Sequence, residues 1–135
     1  MPNPRTRIAL AAAIGTFALI FVGVLAISGG LLVGTPPGVV TLASVAFAHG
    51  LIILVMVAAL AAISGAHFNP AITLGFVVTR RLPLRTAWVY WVAQLVGASA
   101  AAFLLVATIG GPGTAVGTPG LAPGVPFAVG VVLEA

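Results

Sequence analysis

Residues 64–79 read Ser-Gly-Ala-His-Phe-Asn-Pro-Ala-Ile-Thr-Leu-Gly-Phe-Val-Val-Thr. It is uncharged and follows an apolar run that is already long enough to cross a membrane, since about 20 apolar residues span the hydrocarbon. Asn69 followed by Pro70 is a strong helix start, because Asn caps free N–H groups and Pro is favoured at the first helical position. Residues 69–79 would form a helix of about 16 Å, roughly half the hydrocarbon thickness. The stretch therefore predicts a re-entrant loop and half-helix over 64–79 that turns near the membrane centre.

A broken helix at membrane depth is typical of channels and transporters. Lipid cannot satisfy non-helical backbone, so such backbone lies against protein or lines a wet cavity. The positive end of the half-helix dipole would point from Asn69 into the middle of the membrane. The alternative is a short connecting helix in the interface. The geometry favours transport and leaves that alternative open.

The composition is that of an integral membrane protein. The 135 residues are 61% hydrophobic and 4% charged, whereas a soluble domain carries about 25% charged residues. The chain has no cysteine, and its five basic residues, all arginine, are too few to cover a face as in a nucleic-acid binder. One carboxylate and two histidines supply neither a metal cluster nor a nucleophile–base pair. The sequence therefore predicts no nucleic-acid partner, no enzyme, no cofactor and no metal.

Uncharged runs and helix breakers divide the chain into spans. No charged residue occurs from Ile8 to Thr79 or from Thr86 to Leu133. Clusters of Gly and Pro near 29–38 and 110–124 interrupt these runs. The apolar run at the N-terminus is too long for a cleavable signal peptide. We predict an all-α membrane protein with helices over about 7–28, 39–63 and 84–109, within a first unit of residues 1–123, and the start of a further helix over 124–135.

The arginines orient the chain. They form two clusters that two crossings separate: Arg5 and Arg7, then Arg80, Arg81 and Arg85. Both clusters therefore lie on one side, which the positive-inside rule makes the cytoplasm. We expect a multi-pass protein of the plasma (inner) membrane with a cytoplasmic N-terminus. Three aromatic residues beside the second cluster resemble an interfacial belt, with ordinary packing as the alternative: Trp88, Tyr90 and Trp91.

The block of residues 64–73 closely resembles the first signature of the major intrinsic proteins, the family of aquaporins and glycerol facilitators. The stretches 14–17, 48–51 and 94–98 resemble parts of that family's first three helices. The resemblance implies the first of two inverted repeats, with three spans, one half-helix and the start of a fourth helix. It also implies a passive, cofactor-free channel in the lipid bilayer, homotetrameric when complete. Such a channel would pass water or small neutral solutes and exclude protons and ions.

The resemblance assigns pore roles to two groups of residues in the block. The first is the Asn-Pro-Ala motif, Asn69, Pro70 and Ala71. Here the Asn69 side-chain oxygen would cap the half-helix, and its NH₂ would donate to a passing water and interrupt a proton wire. The second is a ladder of carbonyls that accept hydrogen bonds from water, those of Gly65, Ala66 and His67. The alternatives are capping alone for Asn69 and a plain tight connection for the carbonyls.

His49 corresponds to the helix 2 position of the family's outer constriction. Strict water channels usually have Phe there and glycerol channels Trp, whereas His is similar to the vacuolar subgroup, which passes water, ammonia and sometimes urea. A histidine within a membrane helix usually faces a polar interior. The alternative is a histidine that is hydrogen-bonded to a neighbouring helix. The solute stays open between water, ammonia or urea, and glycerol.

Three further residues receive structural roles from the resemblance. Glu134 corresponds to the family's buried glutamate in helix 4, Gln94 belongs to the helix 3 motif, and Gly97 is a small residue that permits close helix approach. Ala12 departs from the family, which usually has a second glutamate there. That carboxylate accepts hydrogen bonds from the re-entrant backbone, so we expect another acceptor, such as water, in its place.

The chain ends at Ala135 within an apolar run, which predicts a truncated first half of a longer channel. A genuine half-protein would need two antiparallel copies to complete one pore, and the arginine bias argues against that arrangement. The sequence is also consistent with a small, non-conducting structural membrane protein and with a degenerate half-channel.

Overall fold

The computed structural model describes residues 3–28, 42–110 and 126–129. These residues contain no strand, a short helical segment at 127–129, and four longer α-helices: α1 (Pro4–Ser28), α2 (Leu42–Ser64), α3 (Pro70–Val78) and α4 (Leu84–Ile109). Three of them, α1, α2 and α4, are long and apolar enough to cross a membrane. The predicted all-α membrane fold with three spans and one half-helix is confirmed.

The helix bounds lie close to the predicted ones. The first helix begins three residues earlier than predicted, at Pro4, because Asn3 caps it by accepting the Arg5 N–H at 3.0 Å. The third long helix covers 84–109. The predicted start of the second helix at 39, the loops and the helix over 124–135 lie largely outside the described residues.

The helices α1 and α4 run side by side in the same direction. Ala9 lies beside Val89 and Ala93 of α4, and one turn later Ala13 lies against Gly97. A Cβ atom on Gly97 would collide with the carbonyl oxygen of Ala13, so the two backbones meet there without a side chain between them. Their N-terminal ends therefore lie together, and Ala12, Tyr90 and Ala93 form a small core between them.

The chain re-enters the bundle after α2. The carbonyl of Phe68, at the tip of the loop, lies 3.1 Å from the Thr16 hydroxyl, and Thr16 is the middle residue of the 25-residue α1. The following α3 has nine residues and is about 14 Å long, half the hydrocarbon thickness. The re-entrant segment thus turns at mid-height of the bundle.

The half-helix α3 ends in a Schellman motif. Arg80 N–H donates to the Val77 carbonyl, and Arg81 N–H donates to the Phe76 carbonyl. Arg80 has a φ of 59°, in the left-handed region that this motif requires at the residue after the cap. The half-helix and this turn return the chain to the end of the bundle that carries the N-terminus. There α4 begins at Leu84.

One aromatic residue of the predicted belt is not interfacial. Trp88 is exposed and meets Trp91 edge-on, with 5.1 Å between ring centroids. Tyr90 is only 4% exposed and packs between α1 and α4. The belt prediction is therefore wrong for Tyr90, because its position on α4 turns it toward α1 and the re-entrant segment.

Candidate functional site

The Asn69 side chain caps α3. Its Oδ1 accepts the Ala71 N–H at 2.8 Å, and its backbone carbonyl accepts the Thr73 N–H at 3.2 Å. Its φ of −136° and ψ of 131° are the extended values of an N-cap residue, and Pro70 holds the first helical position. The side-chain NH₂ of Asn69 has no partner among the described residues, and Asn69, Pro70 and Ala71 are exposed. The cap therefore leaves a donor at the tip of the re-entrant segment.

Donors from α1 and α4 hold the carbonyls of the re-entrant segment. They form four hydrogen bonds: Tyr90 Oη to the Ser64 carbonyl at 2.5 Å, Gln94 Nε2 to the His67 carbonyl at 2.7 Å, Thr16 Oγ1 to the Phe68 carbonyl at 3.1 Å, and Trp91 Nε1 to the Pro70 carbonyl at 3.2 Å. Three of these bonds are buried. Irregular backbone at membrane depth must find partners inside the protein, and these side chains provide them.

Gln94 joins the two limbs of the segment. Its Nε2 also donates to Thr73 Oγ1 at 3.1 Å, so one amide group contacts the loop before Asn69 and the helix after it. Gln94 is 1% exposed and Thr73 is fully buried. The Oε1 atom of Gln94 is buried without a partner in the described residues. This side chain fixes the angle at which the segment turns.

The predicted carbonyl ladder divides into two parts. No described residue donates to the carbonyls of Gly65 and Ala66, whereas the His67 carbonyl accepts from Gln94. Gly65 and Ala66 have φ values of 69° and 57°, both left-handed. Alanine adopts that conformation at a cost of about 1–2 kcal/mol, whereas glycine adopts it freely. The two free carbonyls thus come from the two residues that turn the chain.

The His67 ring lies inside the bundle and is 4% exposed. It packs against Phe76 at 4.3 Å and Tyr90 at 4.8 Å between ring centroids, and its Nδ1 has no partner in the described residues. The imidazole therefore packs inside the bundle and supports the segment, and the His67 carbonyl is bonded there to Gln94.

His49 occupies a notch between α1 and α2. Its Nδ1 lies 2.9 Å from the Val45 carbonyl of its own helix, so Nδ1–H donates to that carbonyl. Gly23 of α1 forms the notch, because a Cβ atom there would collide with Nε2. Gly23 lies beyond the midpoint of α1, away from the arginines. The hydrogen bond of His49 is thus within α2, and its ring is half-buried.

Ala12 is fully buried against Tyr90 and Ala93. A glutamate at this position would have to enter the contact between α1 and α4. The one carboxylate of the sequence, Glu134, lies outside the described residues. Within those residues, no group of three or more His, Cys, Asp or Glu could hold a metal ion.

Sequence reasoning missed the donors that hold the segment. The sequence alone assigns no role to Thr16 and places Tyr90 and Trp91 in the interfacial belt, whereas all three donate to carbonyls of the segment. One signal could have found Tyr90: it lies one turn before Gln94, so the polar atoms of both side chains project from one face of an otherwise apolar helix.

The chain matches the family model "Major intrinsic protein" over residues 3–135. It is similar to Aquaporin NIP1-4 of Oryza sativa subsp. japonica, with 41% identity over 125 residues that cover 93% of this chain and 44% of that protein. It is similar to Aquaporin TIP4-4 of Zea mays, with 42% identity over 135 residues that cover 96% of this chain and 52% of that protein. It is also similar to Aquaporin Z of Brucella melitensis biotype 1, with 46% identity over 91 residues, 67% of this chain and 39% of that protein. The chain spans about half the length of the curated relatives it matches.

Proposed function

The chain belongs to the major intrinsic protein family, and we propose that it forms the first half of a passive pore for water or small neutral solutes. Residues 1–123 are the first repeat, and residues 124–135 begin the second. The second repeat supplies the other half of the pore wall. The proposal contains no catalytic step and no cofactor.

The geometry of Asn69 carries the proposal. Its oxygen is committed to the Ala71 N–H, so the amide can rotate little and its NH₂ is presented as a fixed donor. A water that passes this donor must accept with its oxygen, which turns its protons away and interrupts a chain of proton transfers. The half-helix dipole adds a positive potential at the same point and repels cations.

The free carbonyls of Gly65 and Ala66 complement this donor. They are acceptors beside the tip of the segment, and the neighbouring carbonyls of Ser64, His67 and Phe68 are already bonded inside the bundle. A solute with hydrogen-bond donors would therefore interact with these two carbonyls. Two carbonyl acceptors next to the NH₂ donor of Asn69 suit small neutral molecules that form hydrogen bonds.

The arginines set the orientation in this proposal. The end of the bundle that carries both arginine clusters faces the cytoplasm, in a plasma (inner) membrane. His49 then lies in the half of the membrane opposite to them and forms part of the outer constriction. Complete channels assemble as homotetramers.

Asn69→Asp tests the pore role apart from the capping role. Aspartate caps a helix as well as asparagine, so the fold is kept, but its carboxylate has no N–H to donate. We expect reconstituted vesicles of the full-length protein to lose most of their osmotic water permeability and to become leaky to protons. Asn3→Asp makes the same change at the cap of α1, outside the pore, and serves as the matched control. If Asn69→Asp conducted water and excluded protons as the parent does, Asn69 would be a cap alone.

The solute is tested by comparing two permeabilities in one preparation. His49→Phe replaces a polar imidazole ring with an apolar ring of similar size. We expect the ratio of ammonia to water permeability to fall several-fold, measured by internal pH change and by light scattering of the same vesicles. An unaltered ratio would exclude His49 from the constriction. A parent protein without any flux would favour a non-conducting structural role for the chain.

A further inference from the structure

All five arginines lie at one end of the bundle. The parallel packing of α1 and α4 brings their N-termini together, and Arg80 and Arg81 lie in the turn that leads into α4. Each arginine is exposed, and the described residues contain no Asp or Glu. No carboxylate of the described residues therefore neutralises this end, and its counter-charge has to come from outside those residues.

An apolar groove opens on the surface of the bundle next to this end. It has a volume of about 440 Å³ and lies between α1 and α4, lined by Ala9, Trp88, Val89, Val92 and Ala93. Trp88 and Val92 are more than half exposed. The groove exists because α1 contributes a small side chain where α4 contributes large ones.

Two arginines stand at the mouth of the groove. Arg5 precedes Ala9 by one helical turn, and Arg85 precedes Val89 by one helical turn, so each lies on the groove side of its helix. Both lie on the cytoplasmic side of the groove in the proposed orientation, at the level of lipid headgroups. The guanidinium groups bind phosphate through paired N–H donors.

We propose that this groove binds an anionic phospholipid, with one acyl chain along the groove and its phosphate between Arg5 and Arg85. The occupant has to be apolar along its length and negative at one end, which is the chemistry of such a lipid. A second copy of this chain, including one in the proposed homotetramer, brings positive charge to the same end and so does not neutralise these arginines. Free phosphate would use the arginines and leave the apolar groove uncovered.

Trp88 reports on the occupant directly, because it lines the groove. The full-length protein with Trp88 as its sole tryptophan (Trp91→Phe among the replacements) is reconstituted in phosphatidylcholine. Phosphatidylglycerol with brominated acyl chains is then titrated in, and brominated phosphatidylcholine is titrated in parallel. A basic residue near an anionic membrane contributes about a fivefold preference, so two arginines give about a 25-fold preference in the quenching constant. In the double variant Arg5→Gln with Arg85→Gln, the two lipids are expected to quench Trp88 with about equal constants.

Two matched variants separate the groove from diffuse attraction. Arg80→Gln with Arg81→Gln removes the same charge from the same end, and its preference is expected to stay within about twofold of the parent's. Val92→Trp, with Trp88 replaced by Phe, fills the groove and is expected to lose most of the preference. Val96→Trp, one turn further along α4 and exposed, is its control. The proposal is overturned if both arginine pairs lose the lipid preference equally, or if the Val92 variant keeps it in full. It is also overturned if the variants change the oligomeric state and leave the lipid preference as it is in the parent.

Discussion

Replacing Gln94 by Met removes the amide group that joins the two limbs of the re-entrant segment. The side chain contacts the His67 carbonyl at 2.7 Å and Thr73 Oγ1 at 3.1 Å, and it is 1% exposed. Methionine has nearly the same length and flexibility and fills the space without donors. The substitution therefore tests the hydrogen bonds with little change in packing.

The expected loss of stability follows from these contacts. A side-chain hydrogen bond between membrane helices contributes about 0.6 kcal/mol on average and up to about 1.7 kcal/mol, and Gln94 makes two. The His67 carbonyl is left without its donor in the bundle, which adds about 1–3 kcal/mol if nothing replaces it. The substitution also removes the unpartnered Oε1, which offsets part of this cost. We expect a net destabilisation of about 1–3 kcal/mol.

A double-mutant cycle with Thr73→Val identifies the bond. Unfolding of the purified protein in mixed micelles is followed by circular dichroism for the parent, both single variants and the double variant. We expect a coupling energy of about 0.5–1 kcal/mol between the two sites, since residues in one hydrogen-bond network are not additive. Thr108→Val is the control, because its hydroxyl bonds within α4 at an exposed position. Additivity between Gln94 and Thr73, or a Gln94→Met variant as stable as the parent, would refute the role of this bridge.

Two pairs of substitutions between glycine and alanine test the backbone of the bundle. Ala66→Gly relieves a φ of 57° and should stabilise the fold by up to about 1 kcal/mol. Ala61→Gly in α2 should destabilise the fold by a similar amount. If both substitutions shifted the midpoint of thermal unfolding in the same direction, Ala66 would not be strained. Gly97→Ala places a Cβ atom against the Ala13 carbonyl and should cost about 1–3 kcal/mol through overpacking. A Cβ atom at Gly50 meets no atom within 4 Å, so Gly50→Ala should be neutral or stabilising in the same assay. Equal effects of Gly97→Ala and Gly50→Ala would exclude the close approach of Gly97 to Ala13.

The elements that sequence predicts well are those that local chemistry decides. The Asn69–Pro70 pair defines the start of α3 because a cap and a first-turn proline act within a few residues. The spans follow from uncharged runs of sufficient length, which α1 and α4 show with little ambiguity. The turn at mid-height follows from the length of α3 alone. None of these inferences needs to know which helices are neighbours.

The roles of Tyr90 and Thr16 could not be predicted in the same way. Each donates to a carbonyl that is distant in sequence, 26 residues away for Tyr90 and 52 for Thr16. Their contacts depend on the parallel approach of α1 and α4, which the absence of a side chain at Gly97 permits. An aromatic residue near an arginine cluster is equally consistent with an interface and with the interior. Only the rotation of α4 about its axis distinguishes these cases, and apolar composition on all sides of the helix hides that rotation.

Backbone donors of the re-entrant segment find acceptors within the segment, with alanine at position 12. Ser64 Oγ accepts the Ala66 N–H at 3.3 Å, and Asn69 Oδ1 accepts the Ala71 N–H, so two backbone donors of the segment find partners within it. The carbonyls of the segment need donors, which a carboxylate could not supply, and Thr16 provides one of them a single turn beyond Ala12. With alanine at position 12, Tyr90 can pack between α1 and α4 and reach the Ser64 carbonyl. A glutamate at position 12 would have to displace that ring. The alanine and the buried tyrosine are therefore two parts of one solution for holding an irregular backbone inside a membrane.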